Sequence, residues 1–158
     1  MIVSDRQNIL LIGIGNEFRS DDGIGLIIVR QIQNTQLSSI FVKEASGEGA
    51  ALMEAWQGYE NVIIVDAMVS GAKPGTILII DANKETVPAN VFHYSTHAFG
   101  AAEAIELARE MKILPPRLLV YGIESENFSA GTTISHSVQE SAHRVLEKIV
   151  KKVTVVSR

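Results

Sequence analysis

Short, uninterrupted apolar runs alternate along this chain with longer amphipathic segments, and few folds accommodate that rhythm. The runs are Ile9-Leu10-Leu11-Ile12-Gly13-Ile14, Ile40-Phe41-Val42, Val62-Ile63-Ile64-Val65, Thr76-Ile77-Leu78-Ile79-Ile80 and Leu118-Leu119-Val120-Tyr121. A run with no polar alternation is expected for a strand buried on both faces. Between the runs, Ile24, Ile27, Ile28, Gln31 and Ile32 keep the spacing of one helix face, directly after Ser20-Asp21-Asp22. Short polar residues there suit an N-cap, and acids suit the positive end of the helix dipole. A second helix is predicted over 49–57, with Leu52, Met53 and Trp56 as its inward stripe. A third is predicted over 97–111, stopped by Pro115-Pro116, and a fourth over 135–152, with Val138, Ala142, Val145, Leu146 and Ile149 in register.

The order β-α-β-α-β-β-α-β-α predicts an α/β fold, a three-layer α/β/α sandwich around a five-stranded, mostly parallel sheet. The link from Val65 to Ile77 is too short for a helical crossover, which places the fourth strand at an edge, free to run antiparallel. No repeat or Pro/Gly/Ser-rich linker interrupts the pattern, so residues 1–158 read as one domain. A hydrophobic share of 46% supports a packed core.

Other classes drop away on chemistry. The chain has no cysteine, which removes disulfides, thiolate metal sites and thiol nucleophiles. A net charge of −4 lacks the basic footprint of a nucleic-acid binder. Lys148, Lys151 and Lys152 read as the cationic last turn of a helix. No stretch reaches the about 18 apolar residues of a membrane span, and Asp5 and Arg6 precede any apolar run, unlike a secretory signal. The expectation is a soluble, cytoplasmic monomer without nucleic-acid or membrane partners.

In open α/β sheets, ligands bind beyond the carboxyl ends of the parallel strands. The first run empties into 15–23, the third ends on Asp66, and the last ends on Gly122-Ile123-Glu124; the loop 93–100 is positioned to close over them. Gly13-x-Gly15 after a strand invites a dinucleotide reading, and a non-catalytic nucleotide- or ligand-binding module is the alternative function. Phe18, however, stands where the third glycine belongs, and acids occupy the place of a pyrophosphate. Asp22, Asp66 and His97 instead form two carboxylates and one imidazole, a donor set for a divalent transition ion with positions left open. A helix start near His97 is expected to favour its neutral form. Each also has a plain reading: Asp22 as a helix cap, Asp66 as an acceptor for loop amides, His97 as a surface or capping residue. His93 is a candidate supporting group; His136 and His143, on the last helix, are expected at the surface.

Gly13-Ile14-Gly15-Asn16 followed by Ser20-Asp21-Asp22-Gly23 resembles the opening motif of the nickel–iron hydrogenase maturation endopeptidases. Val65-Asp66-Ala67 is similar to their second motif, Ser95-Thr96-His97-Ala98-Phe99-Gly100 to their third, and Gly122-Ile123-Glu124 with Gly131-Thr132 to their last. The resemblance implies an α/β/α endopeptidase, of aspartyl or metal-assisted type. Its substrate would be the large-subunit precursor of a nickel–iron hydrogenase, cut to remove a C-terminal extension after nickel insertion. It also implies that Asp22, Asp66 and His97 contact the nickel, carry the catalysis, and borrow the metal from the substrate; other divalent ions suit the same donors. Two departures stand out: Asp22 replaces the glutamate of some members, and Glu44-Ala45-Ser46-Gly47 replaces a loop of aspartate, two glycines and threonine.

Overall fold

The structure, a computed structural model, describes residues 8–92 and 97–156, with Val155 and Val156 as backbone only. The five apolar runs form strands β1 (Ile9–Ile14), β2 (Ile40–Ala45), β3 (Asn61–Met68), β4 (Ile77–Asp81) and β5 (Arg117–Glu124). They make one sheet in the order β2-β1-β3-β5-β4. Three pairings are parallel, and β4 lies antiparallel to β5 at the edge, as its short connection requires.

Helices α1 (Ile24–Asn34) and α4 (His136–Val156) cover one face; α2 (Gly49–Trp56) and α3 (Ala101–Glu110) cover the other. Strand β1 divides its side chains between them by simple alternation. Ile9 and Leu11 join Ile28, Val29, Val145 and Ile149, whereas Leu10, Ile12 and Ile14 join Leu52, Trp56, Ile105 and Ala108. Two-sided burial explains the unbroken apolar runs of β1, β3 and β5, whereas β2, expected to be covered on both faces, lies at the sheet edge, is part-exposed along its length and carries Lys43 and Glu44.

Helix α1 approaches the sheet most closely. A Cβ on Gly25 would overlap the carbonyl oxygens of Ile14 and Val65, and one on Gly13 would overlap that of Gly25. The missing third glycine therefore does not prevent a close helix–sheet approach. Gly25 supplies it, seven residues after Phe18, because a 3₁₀ turn at Ser20–Gly23 intervenes.

Three local expectations change. The turn and α1 have no side-chain cap: neither Arg19 nor Gly23 makes one, and the acids are used elsewhere. Helix α3 begins at Ala101, since Gly100 is extended and its N–H donates to Glu103 Oε2 at 3.1 Å. His97 thus lies in the preceding loop, three residues before the N-cap Gly100. Helix α4 continues to Val156, so Lys148, Lys151 and Lys152 stand before its last turn. No helix among the described residues is long and apolar enough to cross a membrane.

The contact between Gly25 and two strand carbonyls leaves no room for a methyl group. Gly25→Ala should destabilise the fold by about 2 kcal/mol or more, lowering the melting temperature by at least about 4 °C; thermal unfolding followed by circular dichroism measures it.

Candidate active site

Strand β1 ends in a loop braced by its own backbone. The Gly15 N–H donates to Ala45 O at 3.1 Å, tying the loop to the end of β2, and Asn16 N–H donates to Asp22 O at 3.3 Å. Gly15 has φ +153°, and a Cβ there would overlap the Asp22 carbonyl oxygen, so only glycine lets this loop close on the turn. Asp22 is thereby held over the end of β1.

The two adjacent acids then diverge. Asp21 is fully buried. Its carboxylate accepts from the amides of Glu126 (3.1 Å), Asn127 (3.0 Å) and Ser135 (2.7 Å), and from the Ser135 hydroxyl (2.8 Å). It fastens the turn to the 126–135 segment and to the start of α4. Asp22, half-buried, faces the cleft instead. Burial raises its pKa, opposed by the Arg19 charge and the Asn16 amide.

Asp66 emerges from β3 opposite Gly122 of β5, one residue beyond the pairing of Val65 with Gly13. It is 8% exposed. Burial pushes its pKa well above the usual carboxylate range, and the Asp22 charge pushes it further, against a backbone hydrogen bond from Ala67. His97, partly exposed, enters from the loop before α3. It lies within electrostatic reach of Glu48, whose pKa is lowered chiefly by the Ala50 and Ala51 amides it caps, at 2.9 and 2.7 Å, and in small part by His97.

Asp22, Asp66 and His97 line one cleft of about 390 Å³, together with Phe18, Arg19, Ser46 and Phe92 among others. It lies between the ends of β1 and β3, where the chain reverses its direction across the sheet. Among the described residues, no three Asp, Glu or His side chains are gathered closely enough to hold an ion by themselves. The arrangement is an open cleft with donors on its walls, not a closed cage. By donor type, two carboxylates and one imidazole are the chemistry a divalent transition ion takes when further ligands come from another molecule. Neighbouring anions would instead repel a pyrophosphate.

Other expected residues fall elsewhere. Glu124 turns from the cleft and receives the Ser70 and Gly71 amides, at 3.0 and 3.2 Å. Gly131 bridges to Arg19 behind the rim. Ser46 of the departing loop lines the cleft, while Glu44 pairs with Arg30 at 2.7 Å. Arg30 also holds Glu17, at 2.9 Å, and so braces the rim. His136 pairs with Glu140 on exposed helix surface and His143 is exposed; His93, Ser95 and Thr96 lie outside the described residues. Asp21 and Arg30 escaped the sequence reading. The acidic pair was visible, but nothing local tells which member faces inward.

A sequence model of the hydrogenase maturation proteases (HycI) matches residues 28–152. The chain belongs to the hydrogenase maturation protease family. A member of this family is a peptide hydrolase. The chain is 27% identical over 148 residues to the hydrogenase 2 maturation protease of Escherichia coli, covering 91% of this chain and 89% of that one. It is 26% identical to the hydrogenase expression/formation protein HupD of Rhizobium leguminosarum, but spans only 58% of that protein's length and 73% of its own. The maturating endopeptidase HybD of E. coli shares the fold, with a TM-score of 0.79, 24% identity, and coverage of 93% and 92%. The solution structure of an E. coli endopeptidase gives a TM-score of 0.74 at 26% identity, covering 90% and 89%.

The two acids predict stability changes of opposite sign. Asp21→Ala strands buried amides and should cost about 3 kcal/mol, roughly a 6–12 °C fall in melting temperature. Asp66 has a folded pKa above its unfolded value, so its carboxyl binds the proton more readily in the folded protein. Stability therefore falls as pH rises from about 4 through the folded pKa. Asp66→Asn removes that penalty. It should melt a few degrees higher than wild type at pH 7, with the difference vanishing below about pH 4; melting curves across pH test both.

Proposed function

We propose that this protease removes the C-terminal extension of a nickel–iron hydrogenase large-subunit precursor after nickel insertion, completing the coordination of the substrate's nickel with Asp22, Asp66 and His97. The observation that carries this reading is their meeting on one cleft, with the two carboxylates near enough for the Asp22 charge to raise the Asp66 pKa. A dication seated there offsets both the burial and the mutual repulsion of the acids. Three donors on open walls leave the remaining coordination positions to the precursor's own ligands. The metal then marks which precursor is ready and fixes the register of the chain to be cut.

The protein's own contribution is positional. Asp66 is rooted in the central strand, Asp22 is fixed through the Gly15 contact, and His97 enters from the segment before α3. Bound nickel supplies Lewis acidity beside the scissile peptide. Water adds to the peptide carbonyl carbon, the C–N bond breaks, and the departing amine takes a proton. A strand-end carboxylate in a water-poor cleft is well suited to orient that water. On this reading the work falls in the cytoplasm, where the precursor is matured, and needs one copy of the chain.

In a tail-removal assay with nickel-loaded precursor, Asp22→Ala, Asp66→Ala and His97→Ala should each lower the rate by roughly 100-fold or more, at or above the 10–100-fold lost when a ligand's outer support is removed. Precursor prepared without nickel should stay uncut by wild type. Normal processing by any of the three variants, with circular dichroism confirming that they are folded, would defeat the assignment.

A further inference from the structure

The loop that holds Asp22 also carries a feature the metal chemistry leaves unused. Phe18 is 67% exposed, the most exposed of the large hydrophobic side chains in the described residues. Its ring enters neither core cluster, whereas Phe92 and Phe99 pack on one, Phe128 packs on the other, and Phe41 meets the Tyr59 ring at 5.9 Å. A phenylalanine on a polar loop gains nothing for folding when its ring stays in water.

The backbone beneath that ring is pinned on both sides. Its N–H donates to Asn16 Oδ1 at 2.9 Å, and its carbonyl accepts from Gly131 N–H at 2.9 Å. The next residues are held in turn: Arg19 bridges to Gly131, Ser20 N–H donates to Gly131 O at 2.8 Å, and the Ser20 hydroxyl donates to Ser129 O at 2.8 Å. The loop is therefore ordered before any partner arrives, and it presents the ring at the mouth of the cleft that Asp22, Asp66 and His97 line. A pre-ordered aromatic with two side-chain torsions loses little entropy on contact, which is the usual character of an interface anchor.

Resting on the proposed processing activity, we infer that Phe18 is a substrate-positioning residue: its ring receives an apolar side chain of the precursor polypeptide adjoining the nickel-bound stretch. The occupant is protein, because the cleft already identified takes a polypeptide, and the ring shares that cleft's wall. It is apolar, because Phe18 offers no hydrogen bond and the neighbouring carboxylate of Glu17 is taken up by Arg30. The contact sets affinity and register for the chain, while the donors of the cleft are untouched by it. It is a role for the ring alone, so its signature belongs in KM.

Nickel-loaded precursor from the same organism, titrated against wild type, Asp66→Ala, Phe18→Ala and Phe18→Leu, tests this. Phe18→Ala should raise KM about tenfold, equivalent to about 1.4 kcal/mol, with kcat within about twofold of wild type. Phe18→Leu should recover most of the loss, and both variants should melt within about 1–2 °C of wild type, as exposed substitutions do. An unchanged KM in Phe18→Ala, or a fall in kcat alone, overturns the assignment of Phe18 while processing by wild type and its loss in Asp66→Ala leave the activity standing. A wild-type protein that cuts no tail overturns both.

Discussion

Helix α1 cannot stand off from the sheet: Gly13 and Gly25 remove the two side chains that would hold it away, and the backbones meet. That seating sets where the 3₁₀ turn must lie, since the turn leads directly into α1 and is closed against Gly15. With the turn placed, Asp22 overhangs the end of β1, and β1 is hydrogen-bonded to β3, which carries Asp66. A pair of carboxylates on two separate elements is thus positioned by steric contact between backbones. Beside α1 in the same layer, Val138, Val145 and Ile149 of α4 share its core cluster.

The pairing of Asp22 with Asp66 runs against the economy of the fold. A buried acid beside a second acid is an arrangement folding alone has no reason to keep, and perturbed carboxyls in a cleft are a mark of chemistry. The surroundings show how the strain is contained. Asp21, one residue away, is satisfied by four hydrogen bonds, and Glu124 by Ser70 and Gly71. Acids that serve structure are fully partnered, whereas the two that face the cleft keep raised proton affinity.

The central strands β1, β3 and β5 were readable because burial on both faces writes itself as unbroken apolar runs, and the edge place of β4 because the eleven residues between Val65 and Ile77 are too few for a crossover helix. Strand ends and the loop before α3 suggested that Asp22, Asp66 and His97 would share one rim, and the three do line one cleft. Less legible were features decided by tertiary contact. Helical composition suggested α3 from His97, but extended Gly100 and the Glu103 side chain start it at Ala101. The acidic turn looked like a helix cap, yet Asp21 bonds amides more than a hundred residues away. The glycine that seats α1 lies beyond the motif where a nucleotide-binding pattern would place it, since the inserted turn shifts the contact along the chain.

Neighbouring Asp21 and Asp22 point in opposite senses because the stretch from Gly15 to Gly25 is clamped at both ends. Those ten steps act as a ruler. Adding or deleting one residue inside it would hand the 126–135 amides to the wrong carboxylate and leave the cleft facing the other. Side chains within the turn can be exchanged at constant length, but its length cannot change without moving both carboxylates.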